Sequence, residues 1–232
     1  WGPPNTGPIP TGYRVYVRAG NGGFALPVDV GNATSYRVTG LANYSLYTFL
    51  VTAYDAAGTE GPGARTVAMP RPAVSMNDSV AYANPQAALD AARAGDTVRL
   101  GSATFRSRLR LPPGVRLIGV PGQTVLDLRD EDGGGKPGSG SAAIEIVPVP
   151  GKPSDPGQTT EISGFTILGG GTAISSSGGA LYAHHNIIVG AATGIHVDTA
   201  GSGTILHNTI HGATARAILV ESANVAIRNN LL

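Results

Sequence analysis

An apolar pattern that returns about every 22 residues dominates the second half of the chain. Three aliphatic sets and one asparagine set recur in step: Ile162, Ala183, Ile205 and Ile227; Ile167, Ile188, Ile210 and Leu232; Ile174, Ile195 and Ile218; and Asn186, Asn208 and Asn230. In a solenoid whose coils stack about 4.8 Å apart, each set becomes a ladder of like residues. The spacing therefore predicts a parallel β-helix, with aliphatic ladders inside and asparagine side chains bonded from coil to coil at a bend.

Composition narrows the classes of function. The 232 residues include 34 glycines and 17 prolines but no cysteine, which excludes disulfides, thiolate metal sites and a cysteine nucleophile. A formal net charge of +1 gives no global reason to expect a nucleic-acid partner. The apolar runs are too short for a membrane helix.

The first region has three segments in which apolar and polar residues alternate, at 12–18, 35–41 and 46–54, separated by Gly, Asn and Pro clusters. Alternation of this kind is typical of half-buried antiparallel strands. The segments therefore predict a small β-sandwich.

Residues 1–69 resemble a fibronectin type III domain. The resemblance lies in Trp1 with the Pro-rich turn after it, in the strand that begins Gly12-Tyr13-Arg14-Val15, and in Leu41 followed six residues later by Tyr47. It implies that Trp1 and Leu41 are core residues and that the Tyr47 hydroxyl bonds back to the backbone. It also implies that the domain is incomplete in this sequence, because a first strand and most of a second are expected upstream of Trp1. Domains of this family space, present or bind, so we do not expect catalysis here.

A linker is expected at 70–78, because Pro70 and Pro72 stiffen a connector that cannot continue a sheet ladder. A short helix follows, with Asn84 as its cap and Pro85 as its first residue. This helix would bury three apolar residues, stop at Gly95, and cover the open end of the solenoid; the three are Ala88, Leu89 and Ala92.

Residues 79–232 resemble the start of a right-handed parallel β-helix of the pectin-lyase-like superfamily. The segments that resemble it are NPQAALDAARAGDTVRLGSATF, RLRLPPGVRLIGVPGQTVLD, SGFTILGG, HHNIIVGAATGIHV, LHNTIHGATARAILV and IRNNLL. The expected fold is thus all-β: a fibronectin type III-like sandwich and then a parallel β-helix with a short N-terminal capping helix, incomplete at its C-terminal end. That superfamily includes polysaccharide lyases, hydrolases and epimerases as well as non-catalytic surface proteins. None of the catalytic strings expected of it occurs here: Asn-Thr-Asp with a later Asp-Asp, Gly-His-Gly, or Asp-Pro-His.

A pair of acids is one candidate site. If Ile195 and Val197 face inward, His196 and Asp198 face outward, and the 23-residue repeat places Glu221 one coil away from Asp198. Carboxylates about 5 Å apart could form an acid/base couple or bind Ca²⁺. Alternatively, both are ordinary solvated acids.

A second outward set consists of Tyr182, His184 and Arg228. Removing the proton next to a uronate carboxyl group needs a base, an acid for the leaving oxygen and a cation for the enolate charge. These three side chains would provide them, with Arg228 two coils from His184 so that an extended sugar bridges the two; ordinary surface residues are the alternative. His185 and His207 stand beside the asparagine column and are expected to be hydrogen-bonded bend or core residues.

Charged clusters early in the β-helix are the remaining candidates. Five arginines and no acid lie between Thr97 and Leu126, with Arg108 and Arg110 outward on one strand; the full set is Arg99, Arg106, Arg108, Arg110 and Arg116. Arg108 and Arg110 would bind an anionic polymer, or else protect an edge strand from pairing. An acidic segment follows, which either binds calcium or is an ordinary solvated loop. Its acids are Asp127, Asp130, Glu131 and Asp132. Excursions at 133–141 and 149–160 are expected to wall a groove.

The expected function is therefore that of a secreted or cell-surface bacterial protein directed at polysaccharide. A lyase, hydrolase or epimerase acting on acidic polysaccharide is one form of it, and a non-catalytic surface or adhesion repeat protein is the alternative. Polysaccharide is the expected partner, no nucleic acid is expected, and Ca²⁺ is the one cofactor considered. Any targeting signal is expected to lie outside this sequence.

Overall fold

A computed structural model describes residues 1–2, 9–43, 45–129, 142–147, 158–222 and 224–232. The chain divides into two compact units, Trp1–Arg71 and Pro72–Leu232. Strands dominate both units, and the residues that the structure describes contain one short helix. Within the described ranges, no helix is long and apolar enough to cross a membrane.

The first unit contains one antiparallel sheet in the order β2-β1-β3-β4, formed by β1 (Gly12–Ala19), β2 (Val28–Gly31), β3 (Tyr47–Tyr54) and β4 (Ala64–Ala68). Tyr13 and Val15 of β1 are buried on one face, opposite Ala53 and Val51 of β3. The alternation at 12–18 and 46–54 thus predicted two strands correctly.

Two expectations for this unit need correction and one is confirmed. Residues 35–41 form no strand, because no neighbour among the described residues bonds to their backbone as a strand requires. Trp1 packs edge-on against Tyr13 but stays 39% exposed, since it borders an open cleft of about 640 Å³ over the apolar face of the sheet. The Tyr47 hydroxyl accepts a hydrogen bond from the Ala42 N–H at 3.0 Å, as predicted.

The second unit is a β-solenoid of about five turns with three sheets. Sheet I contains β5 (Val74–Met76), β6 (Val80–Ala81), β7 (Thr97–Leu100), β10 (Arg116–Ile118), β13 (Thr159–Ser163), β16 (Gly179–His184), β19 (Gly201–Leu206) and β22 (Val225–Arg228). Its strands are hydrogen-bonded in the order β22-β19-β16-β13-β10-β7-β5-β6. Sheet II has the order β20-β17-β14-β11-β8 and contains β8 (Ala103–Phe105), β11 (Thr124–Asp127), β14 (Phe165–Leu168), β17 (Ile187–Val189) and β20 (Thr209–His211). Sheet III has the order β21-β18-β15-β12-β9 and contains β9 (Leu109–Leu111), β12 (Ile144–Ile146), β15 (Thr172–Ser176), β18 (Thr193–Val197) and β21 (Arg216–Val220).

The aliphatic columns form the core of the solenoid. Ile162, Ala183 and Ile205 are in register in sheet I and have no exposed surface. Ile174 and Ile195 are likewise in register in sheet III and have no exposed surface. The predicted parallel β-helix is thus confirmed, because like residues stack directly from coil to coil.

The asparagine column forms a hydrogen-bonded ladder at the bend between sheets I and II. The Asn186 amide donates to the Asn208 carbonyl oxygen, and the Asn208 amide to that of Asn230, both at 3.0 Å. The residue before each asparagine is in the left-handed backbone region, with φ of 53° at His185 and His207 and 52° at Asn229. The predicted ladder is confirmed, and the two histidines are bend residues as expected.

The first coil is closed by a helix and a hairpin. Helix α1 (Pro85–Ala91) begins as predicted, with the Asn84 side chain accepting from the Ala87 N–H. Its Gln86 side chain bonds both the N–H and the carbonyl of Arg110 and so pairs with the edge of β9. The hairpin β5-β6 pairs antiparallel with β7. Part of the expected linker at 70–78 is therefore strand, because β7 needs a backbone partner and Val74 packs into the core.

Candidate functional site

The outer face of sheet I brings together residues from three successive coils. Arg116 on β10 is in register with Glu161 on β13, which is in register with Tyr182 on β16. His184 lies two residues further along β16, on the same outer face as Tyr182. We call Arg116, Glu161, Tyr182, His184 and His185 the sheet I cluster.

Glu161 is the centre of this cluster. One of its oxygens lies 3.0 Å from Nε2 of His184, and the other lies 3.6 Å from Nε of Arg116. The side chains of His184 and Glu161 are 16% and 22% exposed, so bulk water screens their interaction only in part. A carboxylate that holds an imidazole in this way fixes both its tautomer and its orientation.

The two ring systems beside His184 extend the cluster along the coil. The Tyr182 ring lies 4.2 Å from the His184 ring, measured between centroids. Nδ1 of His184 lies 2.8 Å from Nδ1 of His185. The His207 ring of the next coil lies 5.1 Å from the His185 ring, measured between centroids. Nε2 of His207 lies 3.3 Å from the side-chain amide nitrogen of Asn229.

The structure places the predicted Tyr182 and His184 together, whereas Arg228 lies two coils away from His184 through Leu206. Sequence reasoning missed Glu161 and Arg116 as partners of this site. The signal was present, because the inward Ile162 forces its neighbour Glu161 outward on the strand.

The predicted acid pair has a different arrangement. Nε2 of His196 lies 3.1 Å from a carboxylate oxygen of Glu221, so these two side chains form a pair on sheet III. Asp198 instead accepts a hydrogen bond from the Ala200 N–H at 3.0 Å and closes its own turn. A direct coupling of Asp198 with Glu221 stays a prediction.

The acid-free arginine segment is balanced by acids from elsewhere in the chain. Four ion pairs do this, at 3.0 to 3.8 Å: Arg99 with Asp78, Arg106 with Asp127, Arg110 with Glu145, and Arg116 with Glu161. Arg108 and Arg110 line a cleft of about 550 Å³ together with Gln86 and Glu145. The role of Arg108 and Arg110 in substrate binding stays a prediction. The Glu145 carboxylate lies in the same cleft.

Asp127 is bound by arginines. The two side-chain hydrogen bonds from Arg129, each 2.9 Å long, lower the pKa of Asp127 to about 2, and Arg106 adds to the effect. The other acids of this segment and the two predicted excursions lie wholly or mainly outside the described residues: Asp130, Glu131, Asp132, 133–141 and 149–160. In the part of the chain that the structure describes, no group of three or more His, Asp or Glu residues is placed to hold a metal ion.

The first unit is a fibronectin type III domain, since the model of the family described as fibronectin type III domain matches residues 1–68. Comparison with curated proteins and with solved structures gives no match. A fibronectin type III domain followed by a β-solenoid fits a surface or carbohydrate-related protein.

Proposed function

We propose that this protein is secreted or displayed at the cell surface and acts on an acidic polysaccharide at the outer face of sheet I. The observation that carries this proposal is the hydrogen bond between Glu161 and His184, with the Tyr182 ring packed against the imidazole. A half-buried imidazole oriented by a carboxylate is a suitable acid/base group. The resemblance of residues 79–232 to the pectin-lyase-like superfamily supports the same class of substrate.

The chemistry that this cluster suits best is removal of the proton next to the uronate carboxyl group. Lyases and epimerases share that step, which needs a base and a cation near the developing negative charge. Imidazole and phenol groups stand side by side at His184 and Tyr182, and Arg116 brings a guanidinium to the same face. Hydrolysis commonly uses two carboxyl groups on opposite sides of the bond, but this cluster contains a single carboxylate.

The test is incubation of the protein with polygalacturonate or alginate in heavy water. Deuterium should enter the uronate at the carbon next to the carboxyl group where the enolate takes a proton back, whereas elimination by a lyase should produce the ultraviolet absorbance of unsaturated uronates. The change His184→Ala removes the imidazole that Glu161 orients and should slow the exchange or the elimination on the order of 100-fold, the usual effect of disabling general acid/base catalysis. Thr166→Ala, on the outer face of sheet II, is the matched control and should leave the rate unchanged. An exchange rate that His184→Ala does not alter would contradict the proposal.

A non-catalytic surface or adhesion repeat protein is the second candidate. The observation in its favour is the outer face of sheet II, where Val125, Thr166, Ile187 and Thr209 are in register as a ladder without charge. Such a regular solenoid would give length and stiffness. Retention of the polymer with neither deuterium exchange nor unsaturated product would favour this candidate.

A further inference from the structure

The hydrogen bond to Glu161 decides where His184 holds its proton. An ionised carboxylate only accepts hydrogen bonds, so the His184 nitrogen that faces it, Nε2, must be the donor. A neutral His184 therefore has a lone pair on Nδ1. That lone pair points at the neighbouring histidine.

The contact between the two histidines then fixes the second ring. Two Nδ1 atoms at 2.8 Å need one proton between them, because two lone pairs or two N–H groups would repel each other. With His184 as the acceptor, His185 donates from Nδ1. Its remaining nitrogen, Nε2, has the free lone pair, and His185 is exposed to solvent.

We infer that Nε2 of His185 is the proton-accepting atom of the sheet I cluster, and that His184 and Glu161 are positioning residues that act through it. When Nε2 takes a proton, the shared proton can move toward His184, whose cation then faces Glu161 at 3.0 Å. The hydrogen-bonded chain thus leaves Nε2 of His185 as the atom of the pair that accepts a proton.

The backbone holds His185 in place for this role. Its φ of 53° is in the left-handed region, and the next residue is the buried Asn186 of the ladder. His207 is in the same position one coil later, but its Nε2 faces the Asn229 amide and no hydrogen bond to a carboxylate is described for it. His207 is therefore the matched control for His185.

The inference rests on the proposed function for its reaction step. The bond between the α-carbon of the uronate and its hydrogen breaks, and the proton forms an N–H bond at Nε2 of His185. The electron pair stays on the uronate as an enolate. In elimination the enolate expels the oxygen on the next carbon, which takes up a proton from water. In epimerisation the enolate carbon instead takes a proton from water on the opposite face, and in both cases His185 then loses its proton to solvent.

Nitrogen-detected NMR of the histidine rings tests the assignment without any substrate. At a pH where the histidines are neutral, His184 should be protonated on Nε2 and His185 on Nδ1. Acidification should place the first added proton on Nε2 of His185. Glu161→Ala should abolish both tautomer preferences, whereas His207→Asn should leave them unchanged, with the Asn186 amide signal reporting an intact ladder. A His185 protonated on Nε2 in the neutral wild type would overturn the inference.

The deuterium exchange assay separates this inference from the proposed function. His185→Asn, which suits the left-handed backbone, should slow exchange on the order of 100-fold, and His207→Asn should not. Exchange that persists in His185→Asn but is lost in His184→Ala would overturn the inference alone. The predicted tautomers in a wild type that shows neither exchange nor unsaturated product would overturn the proposed function alone.

Discussion

One carboxylate of the first unit, that of Glu60, accepts hydrogen bonds from several donors at once. Glu60 in the fibronectin type III domain accepts hydrogen bonds from the hydroxyl of Thr52 at 2.6 Å, the guanidinium of Arg14 at 2.6 Å and the hydroxyl of Tyr16 at 2.7 Å. These bonds, with that of Thr52 first, lower the pKa of Glu60 to about 2. Each donor belongs to the sheet, so the carboxylate ties β1 to β3.

This network predicts how the first unit responds to acid. Because the folded-state pKa of Glu60 lies below its ordinary value of 4.5, its stabilising effect is complete above that value and is lost as the pH falls toward about 2. Glu60→Gln should lower the free energy of unfolding at neutral pH by about 1 to 3 kcal/mol and flatten this part of the pH dependence. Urea unfolding followed by the fluorescence of Trp1, the single tryptophan, measures both.

The control for this experiment is Glu221→Gln, which changes an acid of the second unit. It should leave the unfolding curve reported by Trp1 as in the wild type. A Glu60→Gln variant with the same acid dependence as the wild type would show that the network does not stabilise the domain.

Among the elements, the bend between sheets I and II depends most on side chains. Asn208 is buried and bonds in both directions along the ladder, with Asn186 and with Asn230, and it also donates to the carbonyls of Ala183 and Leu206. Removing this amide leaves several buried backbone and side-chain groups without a partner. The ladder thus provides hydrogen-bond partners for backbone groups at the bend, as strand pairing does in the sheets.

Asn208→Ala should therefore lower the free energy of unfolding of the solenoid by about 3 kcal/mol, more than the loss of one surface contact. Chemical unfolding followed by circular dichroism measures the difference. Asn224→Ala, at an exposed asparagine close to β22, is the matched control and should change stability by less than about 0.5 kcal/mol. Equal effects of the two changes would rule out the ladder as the main stabilising feature of the bend.

At the scale of the whole molecule, repetition made the solenoid predictable. Columns such as Ile162, Ala183 and Ile205 repeat at a nearly constant interval, so the sequence specifies both the coil and the inward face. The partners across coils were harder to predict. Arg116 meets Glu161 although 45 residues separate them, since the length of that coil does not follow the 22-residue interval.

The same reasoning explains what alternation alone could not predict. Segment 35–41 has the alternation of a strand, yet a strand exists only where a neighbouring backbone completes its hydrogen bonds. The acid-free arginine segment looked cationic because charge was counted along the chain, whereas stacking places acids such as Glu145 and Asp78 beside it. Tyr182 and His184 were found because both lie on a coil that follows the repeat.

We propose that an acidic polysaccharide binds to the outer face of sheet I. Titration of the isotope-labelled protein with an oligouronate, followed by the backbone amide signals in NMR spectra, tests it most directly. The signals of Glu161, Tyr182 and His184 should shift in a saturable way, while those of Thr166 and Ile187 on sheet II stay in place. Shifts confined to sheet II, or no shifts at any concentration, would contradict the claim.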